Sequence, residues 1–193
     1  MKLSMYFICG LILVASAQIY SQDEYDCVMR KDIYITKAGQ ENKTSISSSA
    51  IKNIESVELL FGKGYNTKKV VDDMGSDSIT VARFNDGLTL WISDKWDYLS
   101  YFQITSDNYT LKLPGDVIIK VGMKAEELKA IFPKSYSNRK TVIYEGKDKG
   151  KPFLQVVFCF TIDNKTVYED AWILFYLSKE GGILERFYAY ELN

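Results

Sequence analysis

The chain contains no histidine, so any chemistry must come from carboxylates, thiols, lysines and aromatic rings. Ser-His-Asp and Cys-His catalysis, His-ligated zinc or haem, and imidazole pH switching are all excluded. Acidic residues pair at Asp72-Asp73, Asp94/Asp97, Glu126-Glu127 and Glu169-Asp170. Two carboxylates at a set separation suffice for glycoside hydrolysis, but most such pairs are solvated faces. Glu126-Glu127 falls in the first turn of an expected helix, where carboxylates complement the positive end of the dipole. Asp72, Asp73 and Asp77 around Gly75 lack the ordered ligand positions and closing glutamate of a calcium loop. Gly146 to Pro152 is rich in glycine and lysine, yet has no Ser or Thr after a lysine as a phosphate-binding loop requires. It reads as an exposed loop whose lysines suit an acidic partner. The expectation is a protein with no catalytic residue, no metal and no cofactor.

Thiols and aromatics remain. Cys9 lies in an apolar N-terminal run, which leaves Cys27 and Cys159. In an oxidising compartment a disulfide between them would close a very long loop. Two buried free thiols are the alternative, since Cys159 sits in the apolar run Val157-Phe158-Cys159-Phe160. The 14 Tyr, 10 Phe and 3 Trp exceed what a core of this size needs. Trp91, Trp96, Tyr98, Tyr101 and Phe102 cluster within twelve residues, and Phe175, Tyr176, Phe187, Tyr188 and Tyr190 form a second cluster. Strand alternation sends about half of each to the sheet face that a helix does not cover. That face is either buried by packing or an open Tyr/Trp platform, a composition that suits protein and sugar partners. Trp91, Trp96, Tyr98, Tyr101 and Phe102 are the candidate binding residues.

The address follows from the N-terminus. Lys2, an apolar core from Met5 to Val14, and Ala15-Ser16-Ala17 form a secretory signal with cleavage before Gln18. No later stretch is apolar and long enough to span a membrane, so a secreted or periplasmic chain is expected. With 24 Lys+Arg against 25 Asp+Glu, no basic face is available for nucleic acid. Asn42, Asn108 and Asn164 each open an Asn-x-Thr triplet, a glycan acceptor in a eukaryotic secretory route.

The elements that must position these residues are mostly strands. Residues 26–36 suggest a first strand, followed by a polar arm to Ser49, where Ser48 or Ser49 can cap a helix. Ile51, Ile54, Val57, Leu60 and Phe61 recur at helical spacing, and Gly62 stops that helix. Ile79 to Phe84 and Leu88 to Ile92 flank Asn85-Asp86-Gly87, the chemistry of a tight hairpin. A further strand runs near Tyr98 to Thr105, and Pro114-Gly115 marks a boundary. Val117 to Val121 is a short strand, Lys124 to Phe132 a helix stopped by Pro133. Four strands follow, at Thr141–Glu145, Phe153–Ile162, Val167–Leu177 and Ile183–Leu192.

Phe61-Gly62-Lys63-Gly64-Tyr65-Asn66 aligns with Phe132-Pro133-Lys134-Ser135-Tyr136-Ser137 at an offset of 71, and each half reads as a helix followed by about four antiparallel strands. This predicts an α+β fold of two tandem repeats sharing one continuous or packed sheet, with helices on one face. The expected organisation is a signal peptide (1–17), an N-terminal strand and arm (18–49), and repeats at 50–113 and 114–193. Val121-Gly122-Met123-Lys124-Ala125-Glu126-Glu127-Leu128 through Phe132-Pro133-Lys134 resembles the repeat entry of the β-lactamase-inhibitor-protein-like fold and of related outer-membrane-assembly lipoprotein domains. One visible helix per repeat, Pro133 in place of glycine, and no lipoprotein cysteine depart from those families. The resemblance transfers no binding residue, because none matches by position.

Together these readings predict a non-enzymatic binding module with a protein partner. The alternatives are a carbohydrate- or small-ligand-binding protein and a carboxylate-dependent hydrolase.

Overall fold

The computed structural model describes residues 24–40, 43–45, 51, 53–71, 78–93, 99, 101–144 and 146–191. The expected signal peptide, Asn42, Ser48, Ser49, Trp96, Tyr98 and the Asp72/Asp73/Asp77 and Asp94/Asp97 groups lie outside them.

The chain begins with β1 (Cys27–Met29), β2 (Tyr34–Lys37) and β3 (Thr44–Ser45). Helix α1 (Ile54–Phe61) leads into β4 (Tyr65–Val71), β5 (Ser78–Phe84), β6 (Leu88–Ser93) and β7 (Tyr101–Ile104). Strands β8 (Tyr109–Leu113) and β9 (Val117–Lys120) connect to α2 (Ala125–Ile131) and α3 (Pro133–Ser137). The chain closes with β10 (Lys140–Thr141), β11 (Pro152–Ile162), β12 (Lys165–Leu177) and β13 (Leu184–Glu191). The fold is α+β.

One large sheet runs β1-β11-β12-β13-β7-β6-β5-β4, with β10 also on β11, and a smaller sheet runs β3-β2-β8-β9. The large sheet is two antiparallel meanders joined edge to edge. Their last strands, β13 and β7, pair through Phe187↔Ile104, Tyr188↔Gln103 and Ala189↔Phe102. Alternation fixes what each face presents. Phe84, Leu90, Phe102, Ile173, Phe175 and Phe187 point to a near face, where α1, α2 and the small sheet close one core. Phe61 of α1 meets Phe84 and Tyr109, and Phe132 at the end of α2 stacks on Phe175.

Several local features differ from expectation for identifiable reasons. The single strand over 26–36 is two strands in different sheets, separated by a 3-10 turn at Arg30–Asp32. Arg30 is buried there, over the Phe158 ring and paired with Glu169 at 2.6 Å, and this anchor turns the chain between the sheets. Helix α1 is capped by Asn53, whose side chain accepts from the Ser56 amide at 3.0 Å. Pro133 does more than end α2. It occupies the first turn of α3, where its missing N–H costs nothing. Strands β4 and β8 were not predicted, and the strand expected at Thr141–Glu145 is the two-residue β10. Pro114-Gly115 is the turn of the β8–β9 hairpin.

The Asn85-Asp86-Gly87 hairpin is as expected between β5 and β6. Gly87 takes φ +106°, and a Cβ there would collide with Ser106. Asp163-Asn164 turns β11 into β12 with both φ values positive. Asn164 is exposed at that tip, and Asn108 is exposed while its amide donates to the Asp86 carbonyl at 3.1 Å. Cys27 and Cys159 form a disulfide across the parallel β1/β11 pair, with Cα atoms 5.9 Å apart. Among the described residues no helix is long and apolar enough to cross a membrane.

Candidate functional site

The far face of the large sheet is what the helices leave uncovered. Cross-strand partners share a face, so the pairs Trp91/Tyr101, Gln103/Tyr188, Leu174/Tyr188 and Trp172/Tyr190 all project there. Toward β11 this face is capped by Tyr25 and Val142, which bury Trp172, Leu174 and Tyr176 into a second apolar cluster. Toward the β7–β13 seam the cap ends. Trp91, Tyr101, Gln103, Arg186, Tyr188 and Tyr190 line a groove of about 300 Å³ at that point. It draws one wall from each meander and therefore exists only because β7 and β13 pair.

An aromatic ladder supports the groove. Phe153 stacks on Tyr176, Tyr176 on Tyr188, and Tyr188 leans on Tyr190, with centroids 5.5, 5.5 and 5.9 Å apart. Large rings with two rotatable bonds hold a wall shape at small entropic cost. The Tyr176 and Tyr188 hydroxyls lie 3.0 Å apart. Burial, reinforced by that contact, pushes the Tyr188 hydroxyl well above its ordinary pKa, so it stays protonated.

The groove continues past Arg186 and Tyr188 into a polar pocket of about 370 Å³, also lined by Val142, Tyr144, Tyr176 and the 146–149 loop. Arg186 packs over the Tyr176 ring at 4.5 Å and donates from Nη2 to Asp148 at 2.6 Å. Lys151 also reaches Asp148, at 3.4 Å, and donates to Glu185 at 2.5 Å. Asp148 is the one carboxylate among the described residues lining the groove and its polar extension. Burial alone would raise its pKa, but the hydrogen bonds and charges of Arg186 and Lys151 outweigh burial and hold it below the usual carboxylate value. Asp86 behaves alike: burial opposes, and Lys37 and Tyr109 prevail.

A depressed native pKa means the folded chain binds a proton less readily than the unfolded one. The stabilisation is thus complete above about pH 4, the unfolded carboxylate value, and lost as pH falls through the lower native value. Melting temperature should therefore hold steady from pH 7 to 5 and drop below pH 4. Asp148→Asn should lower the neutral-pH stability by about 1 kcal/mol and flatten the acid limb. Thermal melts from pH 2.5 to 7 test this, and an unchanged acid limb in the variant would contradict it.

Of the five sequence candidates, Trp91 and Tyr101 stand in the groove wall. Phe102 also borders the groove, but its side chain is 0% exposed and packs in the near-face core against Phe187, because it alternates with Tyr101. Trp96 and Tyr98 lie outside the described residues. Gln103 and Arg186 were not anticipated as site residues, whereas the 146–152 loop, whose lysines were expected to suit an acidic partner, does line the polar extension. Tyr188 and Tyr190 did stand in the second aromatic cluster, but the β13–β7 pairing that unites the clusters leaves no mark in the local sequence. Of the acidic pairs, Glu169 is committed to Arg30, and Glu127 accepts from the Lys124 amide at the start of α2, at 2.9 Å.

No family model matches the chain, and no curated protein does. A solved structure of an extracellular protein containing an SCP domain from Bacillus anthracis strain Ames is similar, with a TM-score of 0.39 and 12% identity. The match covers 81% of this chain and 49% of that one, so this chain spans about half of that protein's length.

Proposed function

We propose that the chain is a secreted or periplasmic, non-enzymatic binding module that grips a protein partner through the groove on the far sheet face. The observation that carries this reading is the aromatic groove across the β7–β13 seam, left open where the same face toward β11 is covered. Half-buried Trp and Tyr side chains on a rigid sheet are the residues from which interface hot spots are made. The reading includes a duplicated architecture. Helices α1 and α2 begin at Ile54 and Ala125, in keeping with the 71-residue offset, and each precedes a four-stranded antiparallel meander. On this view the two repeats meet tail to tail, and the groove marks their junction. An export signal at residues 1–17 agrees with a disulfide, which persists outside reducing compartments.

The test is affinity capture with tagged chain starting at Gln18 in extract from its own source, read by mass spectrometry. One stoichiometric protein partner is expected. Trp91→Ala/Tyr101→Ala should weaken it by at least 30-fold, the loss of a hot spot worth about 2 kcal/mol. Capture unaffected by that change would remove the groove from the interface. Glycan-array binding that disappears with Trp91→Ala, without a protein partner, would replace this reading with carbohydrate recognition.

A further inference from the structure

We propose that the polar extension of the groove is an anion seat, which takes an Asp or Glu side chain from an acidic segment of the protein partner. This rests on the groove reading above and adds the partner's chemistry to it.

The argument begins with charge. Lys147, Lys149, Lys151 and Arg186 gather at this end, against the carboxylates of Asp148 and Glu185. Among the described residues these are four cations beside two carboxylates, both of which contact Lys151 or Arg186, a local positive excess in a chain whose formal net charge is -1. Such a local excess beside apolar walls concentrates an electrostatic field where a ligand would sit.

Arg186 supplies the geometry. Its guanidinium is held by Tyr176 on one face and Asp148 at one nitrogen, so its position is preset before any ligand arrives. Its Nε is buried and has no hydrogen-bond partner. Its side chain is only 16% exposed, so the accessible remainder opens into the groove and pocket that it lines on both sides. A planar guanidinium suits a carboxylate, which can accept from its Nη N–H groups, while the Nε is buried away from a ligand. The exposed Lys147 adds a mobile cation at the rim, and Trp91, Tyr101 and Tyr190 at the other end of the groove would take an apolar side chain of the same segment. The occupant is thus an acidic residue a few positions from an aromatic or branched one, in extended or turn conformation.

A random 12-residue peptide library displayed on phage, selected on the folded chain from Gln18, is the experiment. Selected peptides should carry Asp or Glu within about three residues of a large apolar one. Exchanging that Glu for Gln should weaken binding at least tenfold, as should Lys147→Glu, a change in an exposed loop residue that leaves the core untouched. Arg186→Gln should abolish binding, and raising NaCl to 0.5 M should weaken it by screening. Peptides that tolerate Glu-to-Gln exchange within twofold yet lose binding with Trp91→Ala would overturn the anion seat and leave the groove reading intact. Peptides indifferent to both the groove and the loop would overturn both, and no peptide at all would overturn the acidic-peptide occupant. A uronic-acid oligosaccharide that binds through Lys147 when no peptide does would overturn the peptide assignment.

Discussion

Replacing Cys27 and Cys159 together by alanine should cost about 5 kcal/mol, because the bond closes a loop across a sequence separation of 132. The estimate comes from chain entropy: without the bond, the unfolded chain gains every conformation in which its two ends are apart. Melting temperature should fall by roughly 10–20 °C, at 2–4 °C per kcal/mol for a chain of this size. Alanine is a mild replacement at Cys159, which is 2% exposed among apolar neighbours, so most of the loss would report the missing link. Reduction of the native chain with dithiothreitol should reproduce it. The segment has other anchors. The Asp26 amide donates to Ser135 Oγ at 3.0 Å, and the Ser135 amide donates back to the Asp26 carboxylate at 2.9 Å. The Val157 amide reaches the Asp26 carbonyl at 3.1 Å. A loss below about 1 kcal/mol in urea unfolding would mean that these bonds suffice and that loop closure is not what stabilises β1.

The same strand shows where sequence reading stops. Helices α1 and α2 were legible because apolar residues such as Ile54, Val57 and Phe61 repeat at 3.6-residue spacing and a stop follows, Gly62 or Pro133, whereas α3 beyond Pro133 was not. The β5–β6 and β11–β12 hairpins were legible because Asn85-Asp86-Gly87 and Asp163-Asn164 favour the positive φ their turns need. These are local signals. The parallel pairing of β1 with β11 is long-range, as is the β13–β7 seam, and neither leaves a turn or a period behind. Trp91 and Tyr101 could thus be named as candidates, and alternation puts Gln103 on the face of Tyr101, while Arg186 could not be seen to stand beside them. Phe102 shows the same limit: it borders the groove with its ring turned into the core, and alternation says that neighbours face opposite ways, but only the packed sheet says which face is the core.

The seam sets the second large expectation. Phe187→Ala should destabilise the chain by about 3–5 kcal/mol, the usual cost of deleting a buried aromatic ring. Phe187 is 0% exposed, lies against Phe175 with centroids 5.5 Å apart, and meets Phe102 edge-on at 6.5 Å. Phe102 belongs to the first meander and Phe175 to the second, so this ring packs the two halves together under three paired residues. Its immediate neighbour Tyr188 faces the other way, opposite Gln103, in the groove wall. A cavity at Phe187 should therefore loosen the groove as well as the core. Phe84→Ala, within the first meander, provides the contrast: a comparable stability loss with the groove intact. Urea unfolding gives the first quantity, and amide exchange at Gln103 and Tyr188 gives the second, measured where both variants remain folded. Faster exchange at those amides in Phe187→Ala alone would establish that the seam holds the groove in shape. Equal exchange in both variants would mean that the β7–β13 hydrogen bonds hold it without the ring beneath.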